Sequence, residues 1–248
     1  MQYKKTSTFF FVLTFMSNIY AQQTQTNDFG GGKYDVEIKE EITPAQRQAI
    51  KNKLQQNESM LRQQGKLPII SSVAAQAFAW PIKQALNSND RGFYGISNYV
   101  DENINFPNQI TDYNCGTRSY DLSSGYNHAG TDIFTWPFCW DKFTNNKVQV
   151  VAAAPGTILG KDDGNYDQNC AFCTSTCNWN AVYVLHADGS VAWYGHLKSG
   201  TLTTKTTGQS VAEGEYLGVV GSSGNSTGPH LHFEVYTNTT YTQLVDPW

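Results

Sequence analysis

Four of the five histidines in this 248-residue chain, His128, His196, His230 and His232, fall in three short segments flanked by glycine. The fifth, His186, stands next to a turn. Imidazole nitrogen and carboxylate oxygen both bind zinc, and a catalytic zinc takes three such ligands while keeping a fourth position for water. In Gly228-Pro229-His230-Leu231-His232-Phe233-Glu234-Val235-Tyr236, polar and apolar residues alternate as in a half-buried strand. His230, His232 and Glu234 then share one face, and Leu231, Phe233 and Val235 share the core face. At about 3.3 Å per residue the two histidine Cα atoms stand about 6.6 Å apart, so one ring can bind a metal while the other lies beside it. Either ring could be the ligand. Glu234 is placed to orient an imidazole from behind, or simply to face solvent.

The second segment, Tyr126-Asn127-His128-Ala129-Gly130-Thr131-Asp132, offers an imidazole and a carboxylate four residues apart. In a straight strand their Cα atoms would lie about 13 Å apart, too far for comfortable joint coordination. The spacing predicts a bend, and Gly130 is where the chain bends most freely. In the third segment, Ala192-Trp193-Tyr194-Gly195-His196-Leu197, alternation predicts that Tyr194 and His196 share a face. No segment specifies a site alone, but three distant segments together supply three zinc-type ligands and two spare imidazoles.

The elements that must position these groups read as short strands. Val148 to Ala153, Thr157 to Gly160, Asn180 to His186, Ser190 to His196, Gly214 to Gly221 and Pro229 to Tyr236 are separated by turn residues, with Ala187-Asp188-Gly189 as a hairpin loop. No helical stripe interrupts them, so the expected fold is mainly β: an antiparallel β-sheet domain with an open groove. A short helical segment precedes it. Thr43 is its N-cap, Pro44 its first residue, Gln46 completes a capping box, Ile50, Leu54 and Leu61 form a stripe, and Gly65 stops it. The plainer expectation for this helix is a pro-segment or spacer. The sharper one is an inhibitory propeptide over the site. The chain thus divides into a signal peptide (1–21), a polar and helical pro-segment or spacer (22–67), an irregular wrapping segment (68–110) and a catalytic domain (111–248).

Composition narrows the setting. With 17 basic and 21 acidic residues the formal net charge is −4, and no long basic run appears, which argues against nucleic acid as a partner. Lys4 and Lys5, the apolar stretch from Phe9 to Met16 and a plausible cleavage residue at Ala21 read as an export signal, too short for a comfortable membrane span. No stable membrane span is expected after cleavage, and the expected location is secreted, periplasmic or cell-surface. In such a compartment Cys115, Cys139, Cys170, Cys173 and Cys177 favour disulfides over a zinc knuckle, with one of the five left unpaired.

Taken together, His128-x-x-x-Asp132, His196 in Tyr-Gly-His-Leu, and Gly-Pro-His-Leu-His-Phe-Glu resemble the lysostaphin-type zinc endopeptidases that cleave peptidoglycan cross-bridges and stem peptides. The resemblance covers about residues 115 to 246, including the spaced glycines from Gly214 into Gly228. It implies one Zn2+ per chain held by His128, Asp132 and His232, with His196 and His230 as unliganded catalytic histidines and a peptidoglycan peptide as substrate. Tyr120, Tyr126 and Tyr194 are alternatives for a tyrosine that assists the transition state. The alternatives in function are a non-catalytic wall-binding or hydrolase-activating relative and an extracellular protease acting on Gly-rich proteins. The Cys170 to Cys177 loop is an insertion relative to that family.

Overall fold

The computed structural model describes residues 41–67, 75–86, 88–100, 128–173 and 176–248. The signal segment, Cys115, Tyr120 and Tyr126 lie outside them. Helix α1 spans Pro44–Gln63, and its start is the capping box read in the sequence: the Thr43 hydroxyl accepts from the Gln46 amide and the Gln46 side chain accepts from the Thr43 amide. Gly65, at φ +64°, ends it in the left-handed conformation that glycine takes most readily. Eleven strands and a second helix follow: β1 (Ile82–Gln84), β2 (Tyr94–Asn98), β3 (Thr131–Thr135), α2 (Cys139–Thr144), β4 (Val148–Val151), β5 (Gly156–Asp162), β6 (Ala181–Leu185), β7 (Val191–Gly195), β8 (Ser210–Val211), β9 (Tyr216–Val219), β10 (His230–Tyr236) and β11 (Leu244–Val245).

The larger sheet runs β2-β3-β10-β7-β6-β5-β8, with β11 beside the end of β10, and the smaller runs β1-β4-β9. The named strands pair antiparallel throughout. β6 and β7 form the expected hairpin, closed by Leu185 opposite Val191, with Gly189 at φ +92° in its loop. The core between the two sheets takes Ile133, Val182, Val184, Ala192, Tyr194, Leu231, Phe233 and Val235 from the larger sheet and Ile82, Val148, Val150 and Leu217 from the smaller.

The other face of the large sheet carries α1. Leu54 and Leu61 are fully buried there in a cluster with Leu159, Tyr183, Leu185, Trp193 and Tyr236. Two close approaches fit the helix to the sheet. A Cβ at Gly160 would come within 3.0 Å of Leu54, and one at Gly208 within 2.7 Å of Leu61. The groove face of β10 is therefore covered along part of its length rather than open to water.

Two local expectations are corrected. The segment read as irregular wrapping chain contains β1 and β2, each adding an edge to a sheet. At three and five residues they are too short to establish a period against the surrounding glycines and prolines. Helix α2 is also unforeseen, because its six residues cannot form a stripe.

Candidate metal centre

Strand register creates the first half of the site. β10 lies between β3 and β7, so His232 has Asp132 directly opposite on one side and Gly195 on the other. His232 Nδ1 lies 2.9 Å from Asp132 Oδ1. His128, just before β3, brings Nε2 to 3.0 Å from Asp132 Oδ2. Its other nitrogen lies 2.8 Å from the Tyr99 carbonyl, to which it donates, and this leaves Nε2 turned towards the carboxylates. Asn98 donates to Asp132 Oδ2 at 2.7 Å.

The chain bends at Gly130, as the spacing predicts, and brings His128 and Asp132 together. The glycine takes no positive φ. A Cβ there would meet His232 Nε2 at 2.6 Å and the Phe233 carbonyl at 2.7 Å, so glycine supplies room for the ring. Gly195 does the same on the opposite strand, where a Cβ would lie 2.4 Å from the Trp179 ring.

His196 and His230 form a second pair, with ring centroids 4.4 Å apart. Each is anchored by its Nδ1 on a backbone carbonyl, His196 on Ser223 at 2.5 Å and His230 on Gly228 at 2.8 Å. Both therefore present Nε2 to the centre. The expectation that Tyr194 shares a face with His196 fails. Strand alternation ends at His196, which sits at φ +61° and turns its ring to the histidine side. Tyr194 points the other way into the core, where its hydroxyl accepts from the Ala153 amide at 2.9 Å. A hydroxyl buried on the far face of the sheet cannot reach the centre. His186 is also apart, with its Nδ1 on the Pro155 carbonyl.

Glu234 is fully buried, which removes the solvent-facing alternative. Its Oε1 lies 3.6 Å from His232 Nε2, and Arg47 of α1 donates to both carboxylate oxygens at 3.0 and 2.6 Å.

The residue that the sequence reading missed is Glu41. It is two residues ahead of the helix cap, and nothing in its spacing relates it to the histidines. The only hint is Ile42, whose apolar side chain tends to pull the segment onto a surface, and Ile42 is indeed buried. The Glu41 carboxylate enters the middle of the site. Oε1 lies 3.4 Å from His128 Nε2 and 3.8 Å from His230 Nε2, and Oε2 contacts His232 Nδ1 and lies 3.8 Å from His196 Nε2.

Charge in this dry volume is strongly organised. Burial works against the charged form of His128, but Asp132 and Glu41 outweigh it and lift its pKa to about 10. Burial likewise opposes charge on Asp132 and Glu41, yet the surrounding imidazoles hold both below the ordinary carboxylate range. For His196 burial dominates, and its pKa falls. Two ionised carboxylates are balanced here by positive charge on the imidazoles around them, a charge that a metal cation would equally supply.

The donor set fits one. Glu41, His128, Asp132 and His232 offer ligand atoms within 4.8 Å of one another, and all four residues are buried. Tetrahedral zinc with bonds near 2.0–2.1 Å separates its ligand atoms by about 3.4 Å, against 2.9, 3.0 and 3.4 Å for three of the pairs here. His196 Nε2 is buried with no hydrogen-bond partner, which suits an atom that faces an ion or a reacting water.

The inserted loop packs beside the turn that anchors His196. Cys173 and Cys177 are joined by a disulfide, Cys170 is an exposed thiol and Cys139 is buried at the start of α2. The Cys173 amide donates to Asn225 at 2.8 Å, beside the turn that holds His196, and the Cys177 carbonyl accepts from Gln46 at 2.9 Å. The loop therefore touches both the turn behind His196 and the start of α1.

The C-terminal half of the chain is similar to known proteins. The model of peptidase family M23 matches residues 127–247. A DD-carboxypeptidase/endopeptidase Mpg of Neisseria gonorrhoeae is 46% identical over 59 residues, which cover 24% of this chain and 13% of that protein. The peptidoglycan DD-endopeptidase ShyC of Vibrio cholerae is 38% identical over 61 residues, or 25% of this chain and 13% of ShyC. The chain thus spans only about an eighth of the length of these curated relatives. Among solved structures, the catalytic domain of lysostaphin from Staphylococcus simulans is 24% identical, with a TM-score of 0.34, covering 52% of this chain and 82% of that one. Among the described residues no helix is long and apolar enough to cross a membrane. Through residues 127–247, with their antiparallel sheet and histidine-lined centre, the chain belongs to peptidase family M23, the lysostaphin type.

Proposed function

We propose that the protein is a secreted zinc metalloendopeptidase that hydrolyses peptide bonds in bacterial peptidoglycan cross-bridges or stem peptides. The observation that carries this is the convergence of His128, Asp132 and His232 on one buried point, with His196 and His230 beside it. In this reading the first three residues hold the zinc, each kept in place by its own neighbour: Tyr99 behind His128, Asn98 on Asp132 and Glu234 behind His232. Zinc bound there would polarise the scissile carbonyl and make a nearby water more acidic. His196 and His230 carry the protons. With Nδ1 tied to backbone carbonyls, their Nε2 atoms face the reacting volume, one to take the proton from water and the other to support the oxyanion or protonate the leaving amine. The peptidoglycan substrate follows the family and its relatives' names; residues 22–67 serve as a pro-segment or spacer ahead of the catalytic domain.

Mass spectrometry of purified muropeptides incubated with the zinc-loaded protein tests the proposal, because fragment masses report both cleavage and the bond cut. Activity is expected to vanish with chelator, return with zinc and be absent in His128→Ala. Cleavage that survives chelation would overturn it.

A further inference from the structure

The loop between β5 and β6 carries three of the five cysteines and grips the one turn on which both proton-carrying imidazoles are anchored. We propose that this loop is a positioning element for His196 and His230, with Asn169 and Asn180 as its positioning residues and the Cys173–Cys177 disulfide as the latch that keeps it seated. This rests on the peptidase reading above and says what holds two of its groups in line.

The first observation is where the rings are tied. His196 Nδ1 lies 2.5 Å from the Ser223 carbonyl, and His230 Nδ1 lies 2.8 Å from the Gly228 carbonyl with the Ser226 hydroxyl 3.3 Å away. Both carbonyls belong to the segment between β9 and β10, so a shift of that segment moves both Nε2 atoms. Its sequence, Gly221-Ser222-Ser223-Gly224-Asn225-Ser226-Thr227-Gly228, offers no apolar side chain to anchor it in the core. Something else must fix it.

The second observation is that the β5–β6 loop does so. Asn169 binds the turn three ways: its backbone amide donates to the Ser222 carbonyl at 3.2 Å, its side chain donates to the Gly224 carbonyl at 2.7 Å, and its carbonyl accepts from the Ser222 hydroxyl at 2.6 Å. The Ser222 hydroxyl is 2.7 Å from that of Ser226, so a chain of hydroxyls runs from the loop backbone to the His230 ring. Further along, the Cys173 amide donates to Asn225 at 2.8 Å, and the bond to Cys177 ties that end of the loop down. These are directional contacts, which fix position where packing would only fill space.

The third is at the base of the loop. Asn180 is fully buried, and its side chain accepts from the Asn165 amide at 2.9 Å while donating to the Asn165 and Leu197 carbonyls at 3.1 Å each. Its own amide donates to the Ser223 hydroxyl at 2.8 Å, and its carbonyl accepts from the Leu197 amide at 2.9 Å. One residue thus joins the loop, the turn and the chain just after His196. His196 sits at φ +61°, a conformation that persists only where the surroundings enforce it.

The test uses the zinc-loaded full chain, with muropeptide kinetics and NMR of the histidine ring N–H groups side by side. Asn169→Ala and Asn225→Ala should each lower kcat about 10–100-fold, as when a reacting group is misplaced by about 1 Å, with KM and zinc content unchanged. In both, the His196 and His230 ring N–H signals should shift and exchange faster with water. Asn225→Asp, which keeps an acceptor for the Cys173 amide, should restore kcat, and Tyr166→Ala, exposed on the same loop, should leave it unchanged. The double variant Cys173→Ser with Cys177→Ser should lower kcat in the same sense. The proposal is overturned if Asn169→Ala and Asn225→Ala keep wild-type ring signals and kcat, if their kcat falls only in step with zinc content, or if Tyr166→Ala matches their loss. Wild-type protein that cuts no muropeptide, while Asn169→Ala still shifts both ring signals, would support the positioning and sink the peptidase reading instead.

Discussion

The two faces of β10 are almost equally buried, yet they obey different rules. On the core face Leu231, Phe233 and Val235 meet apolar neighbours from both sheets, and what matters is that the volume be filled. On the other face His232 and Glu234 are just as inaccessible to water, and there individual atoms matter: Nδ1 faces Asp132, and Nε2 faces a carboxylate held by Arg47. Burial alone therefore does not distinguish a packing residue from a chemical one. The identity of the atoms that each ring addresses does.

That contrast can be broken by substitution. The largest effect should come from His232→Ala, which removes metal binding, measured as zinc content, and leaves muropeptide cleavage at background. His196→Ala and His230→Ala should each keep the metal and lower kcat by about 10²–10⁴-fold, the usual contribution of a positioned acid or base. Equal loss of metal in all three would erase the distinction between ligands and proton carriers. On the other face, Phe233→Ala should cost about 3–5 kcal/mol in urea unfolding while the folded fraction still binds one zinc.

Gly130→Ala sharpens the comparison, because it adds one methyl group against the His232 ring. Its expected cost is about 10–100-fold in metal affinity, as for other changes that disturb how a ligand is held. The smallest effect concerns His186, which lies far from the centre and packs edge-on against Phe78. Burial pushes its pKa below the ordinary value of about 6.5. The unfolded chain then binds a proton that the folded chain refuses, so this contribution is complete above about pH 6.5 and is lost as the pH falls towards the folded value. His186→Gln should flatten that part of the stability profile between pH 7.5 and 5.5.

Much of this arrangement was legible in the sequence where structure is regular. Alternation from His230 to Tyr236 gave the right two faces for β10, and the capping box gave the right start for α1. Legibility ended where a single backbone conformation or a distant packing partner decides. His196 takes a left-handed conformation unusual for a residue with a side chain, which cancels the alternation that would have grouped it with Tyr194. The room that Gly130 leaves, unlike its bend, depends on the His232 ring far along the chain. Glu41 could not be found from local pattern, because its partners lie between 87 and 191 positions further along the chain.

The polar character of α1 has a kinetic consequence. Only Leu54 and Leu61 are fully buried along its 20 residues, and a helix of this length with so little apolar surface is marginal on its own in water. Lifting it from the sheet therefore removes the support for its own backbone hydrogen bonds, and departure and melting become one event. An arm that folds only in its seat has no half-released state to linger in, so its cover over the sheet should respond steeply to anything that weakens its hold.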